Sequence, residues 1–234
     1  MTVPALSLRP VRCLILAAAA AATMTARADT EGAQRAAALL DAMGGAAVWR
    51  HIVGARIAAT HYSTSVARPY RNVIWNDFAR FRLHIEARNA DLVSVRGFDG
   101  DLARRDNGRE VALIAADRIE EERRWWHANV YRTLHRLARA DPALNARMLA
   151  PDRLAIYENR DRLLAWFQLN RANEPVLFGT ELSAPGTLFG PLGTHVSGAR
   201  FPRWGGAPDG SWRYEVQDAE FTLQAPVMPP VPGS

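Results

Sequence analysis

Residue types that carry out catalysis are present in this chain, but not in the arrangements that catalysis requires. The sequence has no Gly-x-Ser-x-Gly, His-Glu-x-x-His, Walker or Gly-x-Gly-x-x-Gly motif. Its nearest glycine-rich run, Trp204–Gly206, is followed by Ala-Pro instead of a helix start. The acids and bases from Glu120 to Arg124 are typical of the solvated face of a helix. The sequence therefore predicts a protein that is not an enzyme.

Histidine spacing gives no indication of a metal site. His127 and His135 lie eight residues apart on a predicted helix, whereas helical residues that share one ion lie roughly three or four apart. His61 and His84 fall on separate predicted strands, and Cys13, the only cysteine, belongs to the N-terminal leader described below. We expect no metal and no cofactor. A metal-dependent hydrolase is the kind of enzyme that conflicts least with these residues.

Aromatic side chains are more informative, because several fall on predicted strands and on one predicted helix. The adjacent Trp125 and Trp126 point about 100° apart on a helix, so both cannot face one narrow core. One of them is expected to line a groove or a contact surface. The sequence predicts an apolar cavity, partly covered by the helix, whose walls are Trp75, Phe81, Leu83, Ile85, Trp126, Val130, Tyr131, Leu134, Trp166 and Phe178.

The N-terminus has the order of a cleavable secretory signal. Arg9 and Arg12 precede the apolar run Cys13–Thr23, and Ala26-Arg27-Ala28 is a small-x-small cleavage pattern. The apolar run is shorter than the roughly 20 residues that span a bilayer. We therefore predict that residues 1–28 are removed, that no transmembrane segment remains, and that the mature protein is periplasmic or secreted.

The remaining chain is predicted to form one mainly β domain of the α+β type, residues 29–224. Residues alternate between apolar and polar from Arg80 to Arg88, which indicates an antiparallel strand with one buried face. One long helix, Asp117–Ala140, interrupts the strands and is expected to pack on the sheet. Residues 225–234 contain four prolines and are predicted to be a disordered tail.

The mature chain is predicted to carry only a small net charge. The chain has 29 cationic residues, all arginine, and 24 acidic ones, and the leader contains three of the arginines. The mature charge is therefore close to balance, and it does not indicate nucleic-acid binding.

Four short stretches resemble the LolA/LolB-like superfamily of bacterial periplasmic lipoprotein carriers. They are Ala38–Gly45 with Trp49, Gly97–Gly100, Leu169–Pro175, and the ending from Gly198–Pro202 through Asp209-Gly210 to Tyr214–Val216. The resemblance implies a curved, unclosed antiparallel β-barrel with helices covering its concave face, and a hydrophobic cavity for acyl chains. The predicted long helix is larger than this family pattern suggests.

Together these observations predict a soluble periplasmic protein that binds or carries an apolar ligand, such as a lipid or the acyl chains of a lipoprotein. The alternative is a non-enzymatic interaction or sensor module of the cell envelope that acts through a protein partner. Neither hypothesis requires a cofactor or a nucleic acid.

Overall fold

The structure is a computed structural model that describes residues 30–233, so the predicted leader lies outside the described residues. The described part contains four helices, which are α1 (residues 30–42), α2 (Ala46–Trp49), α3 (Ala116–Ala128) and α4 (Val130–Ala138). None of these helices combines the length and the hydropathy needed to cross a membrane.

The strands make up most of the ordered elements. In chain order they are β1 (Gly54–Ser63), β2 (Tyr70–Asp77), β3 (Arg82–Arg88), β4 (Val93–Asp99), β5 (Leu102–Asp106), β6 (Val111–Leu113), β7 (Leu144–Ala150), β8 (Arg153–Glu158), β9 (Arg162–Leu169), β10 (Pro175–Gly179), β11 (Thr187–Phe189), β12 (Leu192–Thr194), β13 (Arg200–Pro202), β14 (Trp204–Gly206) and β15 (Trp212–Thr222).

Thirteen of the strands form one antiparallel sheet in the order β6-β5-β4-β3-β2-β1-β15-β14-β11-β10-β9-β8-β7, and β12 and β13 form a separate ribbon. The end strands β6 and β7 do not pair with each other within the described residues, so the sheet is not closed into a barrel. The last strand, β15, lies beside β1 at the centre, with Gly54 opposite Thr222. This arrangement confirms the predicted mainly β fold with an open antiparallel sheet.

The helices pack on one face of the sheet, here called the inner face. The larger core joins α1, α2 and α4 to strands β8 and β9, and Leu39, Trp49, Leu134, Leu154 and Phe167 are each fully buried in it. A smaller core packs α3 against β3 and β4, and it contains Phe81, Leu83, Ile85, Phe98 and Trp126. The two cores meet the same sheet at different strands, and the junction of α3 and α4 lies between them.

The predicted helix Asp117–Ala140 is wrong in one respect, because the structure has two helices there. Asn129 separates α3 from α4 with an extended backbone (φ −53°, ψ 131°), and its side-chain oxygen accepts hydrogen bonds from the backbone nitrogens of Tyr131 and Arg132. Asparagine is a favoured N-cap because it satisfies backbone donors that a new helix leaves unpaired. The break turns Trp126 into the smaller core and Leu134 into the larger one.

The outer face of the sheet is also partly covered, which differs from the expectation of a solvated face. In β3 the outward His84 is only 3% exposed, because its ring lies 5.2 Å from that of Trp75 and its Nε2 is 3.1 Å from the Glu86 carboxylate. Strict alternation of sequence polarity therefore does not mean alternation of exposure here.

The proline-rich segment follows an extended path across the sheet, although the sequence predicts disorder. Pro226 lies against Gly54 of β1, and Val231 and Pro232 lie against Gly97 of β4. Val231 is 9% exposed. Arg104 of β5 donates a hydrogen bond to the backbone oxygen of Gly233. Glycine at positions 54 and 97 leaves room for this contact, because a Cβ there would lie about 2.8 Å from a proline ring.

Candidate ligand-binding cavity

A cavity of about 270 Å³ lies between the inner face of the sheet and the junction of α3 and α4. Strands β1, β2, β10, β11 and β15 form its floor. Its lining residues are Ala55, Ile57, Ala59, His61, Asn72, Ile74, Asn76, Trp125, Ala128, Asn129, Val130, Tyr131, Phe178, Thr180, Thr187, Phe189, Trp212 and Tyr214.

Small side chains in β1 make room for the cavity. Ala55 and Ala59 alternate with Ile57 on the inner face, and the strand register places them opposite Asn76 and Asn72 of β2. Ile57 lies opposite Ile74, and both of these side chains are only half-buried. Two neighbouring strands thus combine small residues with apolar ones that no helix fully covers.

Aromatic side chains of β10, β11 and α4 also line the cavity. Phe178 of β10 and Phe189 of β11 are stacked, with ring centroids 5.8 Å apart and planes 8° apart. Tyr131 of α4 stacks on Trp49 at 5.9 Å. Burial raises the pKa of the Tyr131 phenol well above its usual value, so this side chain is uncharged at neutral pH.

One end of the cavity is formed by a stack of aromatic and imidazole rings. His61 lies between Tyr70 and Tyr214, at 5.2 and 5.6 Å between centroids, and Trp212 stacks on Tyr214 at 6.3 Å. Burial lowers the pKa of His61 to about 4, because desolvation disfavours the charged imidazolium. His61 is therefore neutral at physiological pH.

The polarity of the lining is distinctive: it contains polar amide and hydroxyl groups but no Asp, Glu, Lys or Arg. Burial also raises the pKa of the Tyr214 phenol. At neutral pH the cavity therefore has no ionised side chain in its lining. Such a site disfavours a ligand whose charge would be buried, because an unpaired charge loses its hydration.

The lining residues of the cavity differ in their exposure to solvent. Ala55 and Asn76 are 2% and 3% exposed. His61 and Trp212, at the far end of β1 and the start of β15, are half-buried. Trp125 is 40% exposed although it lines the cavity. The closed end of the cavity is therefore where Ala55 lies opposite Asn76, and the lining is open to solvent at Trp212 and at Trp125.

The helix junction is fixed to the end of β2. Trp126 donates a hydrogen bond from its indole nitrogen to the backbone oxygen of Asp77. Arg132 donates from Nε to the backbone oxygen of Phe78 at 3.0 Å, and its guanidinium lies 3.9 Å from the Trp126 ring centroid. The roof of the cavity is thus attached to its floor by directional contacts.

The residues predicted from sequence fall into separate environments. Val130, Tyr131 and Phe178 line the cavity. Leu134 is fully buried in the larger core. The smaller core contains Phe81, Leu83, Ile85 and Trp126, and none of these four side chains lines the cavity.

Trp75 and Trp166 lie on the outer face of the sheet. Trp75 falls between the inward Ile74 and Asn76 in β2, so strand alternation directs it outward. Trp166 is 2% exposed and donates a hydrogen bond to the backbone oxygen of Glu181 at 2.8 Å. A loop after β10 covers this ring, which explains how an outward tryptophan is buried.

Several lining residues were not anticipated from the sequence, notably Asn72, Asn76, His61 and Trp212. The alternation of residues along two neighbouring strands is the sequence signal that points to these lining residues. Ala55, Ile57, Ala59 and His61 alternate along one strand, and Asn72, Ile74 and Asn76 alternate along the next. Small and polar residues on the inner face of adjacent strands mark a place where the core is not filled.

Among residues 30–233, no group of three or more His, Cys, Asp and Glu side chains could hold a metal ion.

Fold and cavity together define a mainly β protein whose open antiparallel sheet and helices enclose an uncharged cavity. No family model matches the chain, and no curated protein matches it significantly. Among solved structures, it is similar to a DUF1329 family protein from Desulfovibrio piger, with 8% sequence identity and a TM-score of 0.41. The match covers 81% of this chain and 93% of that one. At this level the similarity identifies neither a family nor a function.

Proposed function

We propose that this protein binds an apolar ligand in the cavity between its sheet and the α3–α4 junction, and that it does so without catalysis in the bacterial cell envelope. The observation that carries the proposal is an uncharged, largely apolar cavity of about 270 Å³ next to an exposed tryptophan. Small-molecule sites are typically concave and mostly apolar, with a few placed polar groups.

The size of the cavity limits the ligand. Sites for drug-sized molecules have volumes of roughly 300–1,000 Å³, so a cavity of about 270 Å³ suits one acyl chain or one small ring system. Part of a larger lipid would extend past Trp125 into solvent. The apolar part would be held mainly by its removal from water, at roughly 25 cal/mol per Å².

The envelope location and the LolA/LolB-like relationship are parts of the same proposal. The leader-like N-terminus supports export. An open antiparallel sheet with helices on one face is the architecture that the resemblance implies for an acyl-chain carrier.

The test is binding of the uncharged fluorescent probe N-phenyl-1-naphthylamine, combined with native mass spectrometry of protein purified from a bacterial envelope. We expect saturable fluorescence enhancement and a co-purified lipid mass. Ala59→Phe should occupy part of the cavity and reduce probe binding, because the Ala59 side chain lines it, and Tm reports whether the variant is folded.

The matched control is Ala37→Phe on the exposed surface of α1, which should bind the probe like the wild-type protein. If the wild-type protein binds no probe and no lipid but co-purifies with a stoichiometric protein, the ligand proposal is wrong and an interaction module is favoured. Equal probe binding by Ala59→Phe would place the probe elsewhere and would also contradict the proposal.

A further inference from the structure

Asn76 is a buried amide without a protein partner at the closed end of the cavity. The residue is 3% exposed, and neither its side-chain nitrogen nor its oxygen has a hydrogen bond to any described residue. Its neighbours across the two adjacent strands are Ala55 and Leu83, whose side chains offer no donor or acceptor. Buried polar groups are nearly always hydrogen-bonded, so this one requires an explanation.

Asn76 faces the cavity because of its place in the alternation of β2, and it neither forms a turn nor caps a helix. It alternates with Ile74 and Asn72 on the inner face of β2, and all three side chains line the cavity. An apolar residue of similar size would complete the core at this position without leaving polar atoms unpaired. An amide here adds one donor and one acceptor to an otherwise apolar end of the site.

We propose that the ligand carries an uncharged group that both donates and accepts a hydrogen bond, an amide or a hydroxyl, and that this group pairs with Asn76 at the closed end of the cavity. This inference rests on the proposed function, because it specifies the ligand of the same cavity. The polar group enters first, and the apolar remainder extends along β1 and β15 toward Trp212.

The lining explains why the group is uncharged. A carboxylate or an ammonium placed beside Asn76 would meet no oppositely charged side chain in the lining. Asn76 could satisfy only part of the hydrogen-bonding capacity of such an ion, and the lost hydration would not be offset. A neutral amide or hydroxyl uses both polar atoms of Asn76 and leaves no charge buried.

The experiment is competition with bound N-phenyl-1-naphthylamine at pH 8 by ligands of equal chain length. Decanamide and decan-1-ol donate and accept, methyl decanoate only accepts, and decanoate is charged. We expect decanamide or decan-1-ol to bind about tenfold more tightly than methyl decanoate, as one additional hydrogen bond predicts. Decanoate should bind most weakly. Tighter binding of decanamide than of decan-1-ol would indicate an amide ligand, and the reverse order would indicate a hydroxyl ligand.

Asn76→Leu should abolish this preference and leave affinity for methyl decanoate unchanged or higher. Gln217→Leu is the control, because it removes an exposed amide of β15 that does not line the cavity, and the preference should persist. If the wild-type protein binds all four ligands equally, the inference is wrong even if Asn76→Leu does not fold. If no ligand displaces the probe and the probe itself does not bind, the proposed function fails instead.

Discussion

The indole nitrogen of Trp126 donates a 2.7 Å hydrogen bond to the backbone oxygen of Asp77, which joins the end of α3 to the end of β2. The Arg132 guanidinium lies over the same indole ring and donates to the next backbone oxygen, that of Phe78. Trp126 is 4% exposed. The residue therefore holds the roof of the cavity to the sheet, a structural role that can be separated from ligand contact.

Replacing Trp126 with alanine should lower the free energy of unfolding by about 3–5 kcal/mol, because it leaves a large void in the smaller core. Denaturant unfolding followed by circular dichroism measures this effect. Trp126→Phe keeps most of the ring but loses the hydrogen bond, and it should cost less, about 1–3 kcal/mol, since the Asp77 oxygen stays buried. Equal stability of the alanine variant and the wild-type protein would show that Trp126 is not core.

Asn76→Leu should stabilise the ligand-free protein. Two polar atoms that no described residue pairs are replaced by apolar surface, and each unsatisfied buried group costs about 1–3 kcal/mol. Tm by differential scanning calorimetry is the measurement. Asn72→Leu, whose side chain lies further toward the opening, should change Tm less. A lower Tm for Asn76→Leu would mean that the amide is satisfied in the ligand-free protein.

Asn129→Ala should destabilise the protein by about 1 kcal/mol, because the α4 backbone nitrogens of Tyr131 and Arg132 lose their side-chain acceptor. Asn129→Asp retains an acceptor at the same position and should be close to neutral. Both effects are measured by denaturant unfolding. If alanine and aspartate have the same effect, the cap does not contribute to stability.

Acid should destabilise the protein through His61. Its pKa is lowered from 6.5 to about 4 in the folded state, so between these values the unfolded chain binds a proton that the folded protein does not. Stability therefore falls as the pH decreases from 6.5 toward 4. His61→Phe should reduce the dependence of Tm on pH in this window, and part of the dependence should remain because burial also lowers the pKa of His127 to about 4.

Removing residues 225–234 should expose the outer face near Gly54 and Gly97, where Pro226 and Pro232 pack. Loss of the buried Val231 side chain alone predicts a decrease of about 1.5–3 kcal/mol in unfolding free energy. Hydrogen exchange of β1 and β4 amides should increase. A truncated protein with unchanged stability and exchange would support the disorder predicted from sequence.

The sequence is enough to predict the antiparallel sheet, but it does not show which side chains lie on the inner face and which on the outer face. Alternation from Arg80 to Arg88 and the turn after Asp99 predict antiparallel hairpins, because both signals are local. The break between α3 and α4 at Asn129 is harder to predict from the sequence, because asparagine also occurs inside helices. The Asn129 side chain becomes a cap only because the backbone is extended at this residue.

The cavity was harder to predict for a related reason. Apolar residues cover both faces of the sheet, so the hydrophobicity of Trp75 and Trp166 does not distinguish the inner face from the outer one. A cavity is defined by missing volume, and Ala55 and Ala59 supply it without any strong signal of their own. Only the pairing of these alanines with Asn72 and Asn76 across β1 and β2 reveals the site.

The central position of β15 also determines the timing of folding. Strands β1 to β6 pair with sequence neighbours, and strands β7 to β11 do the same. Strand β14 extends the second group by pairing with β11, and β15 connects the two groups by pairing with β1 and β14. Until β15 is in place, the chain can form only two half-sheets, and the edges of β1 and β14 that β15 will occupy remain unpaired. Such edges favour intermolecular pairing, and contacts between residues as distant as Gly54 and Thr222 form slowly. The folding chain is thus most prone to aggregate before β15 has paired with both half-sheets.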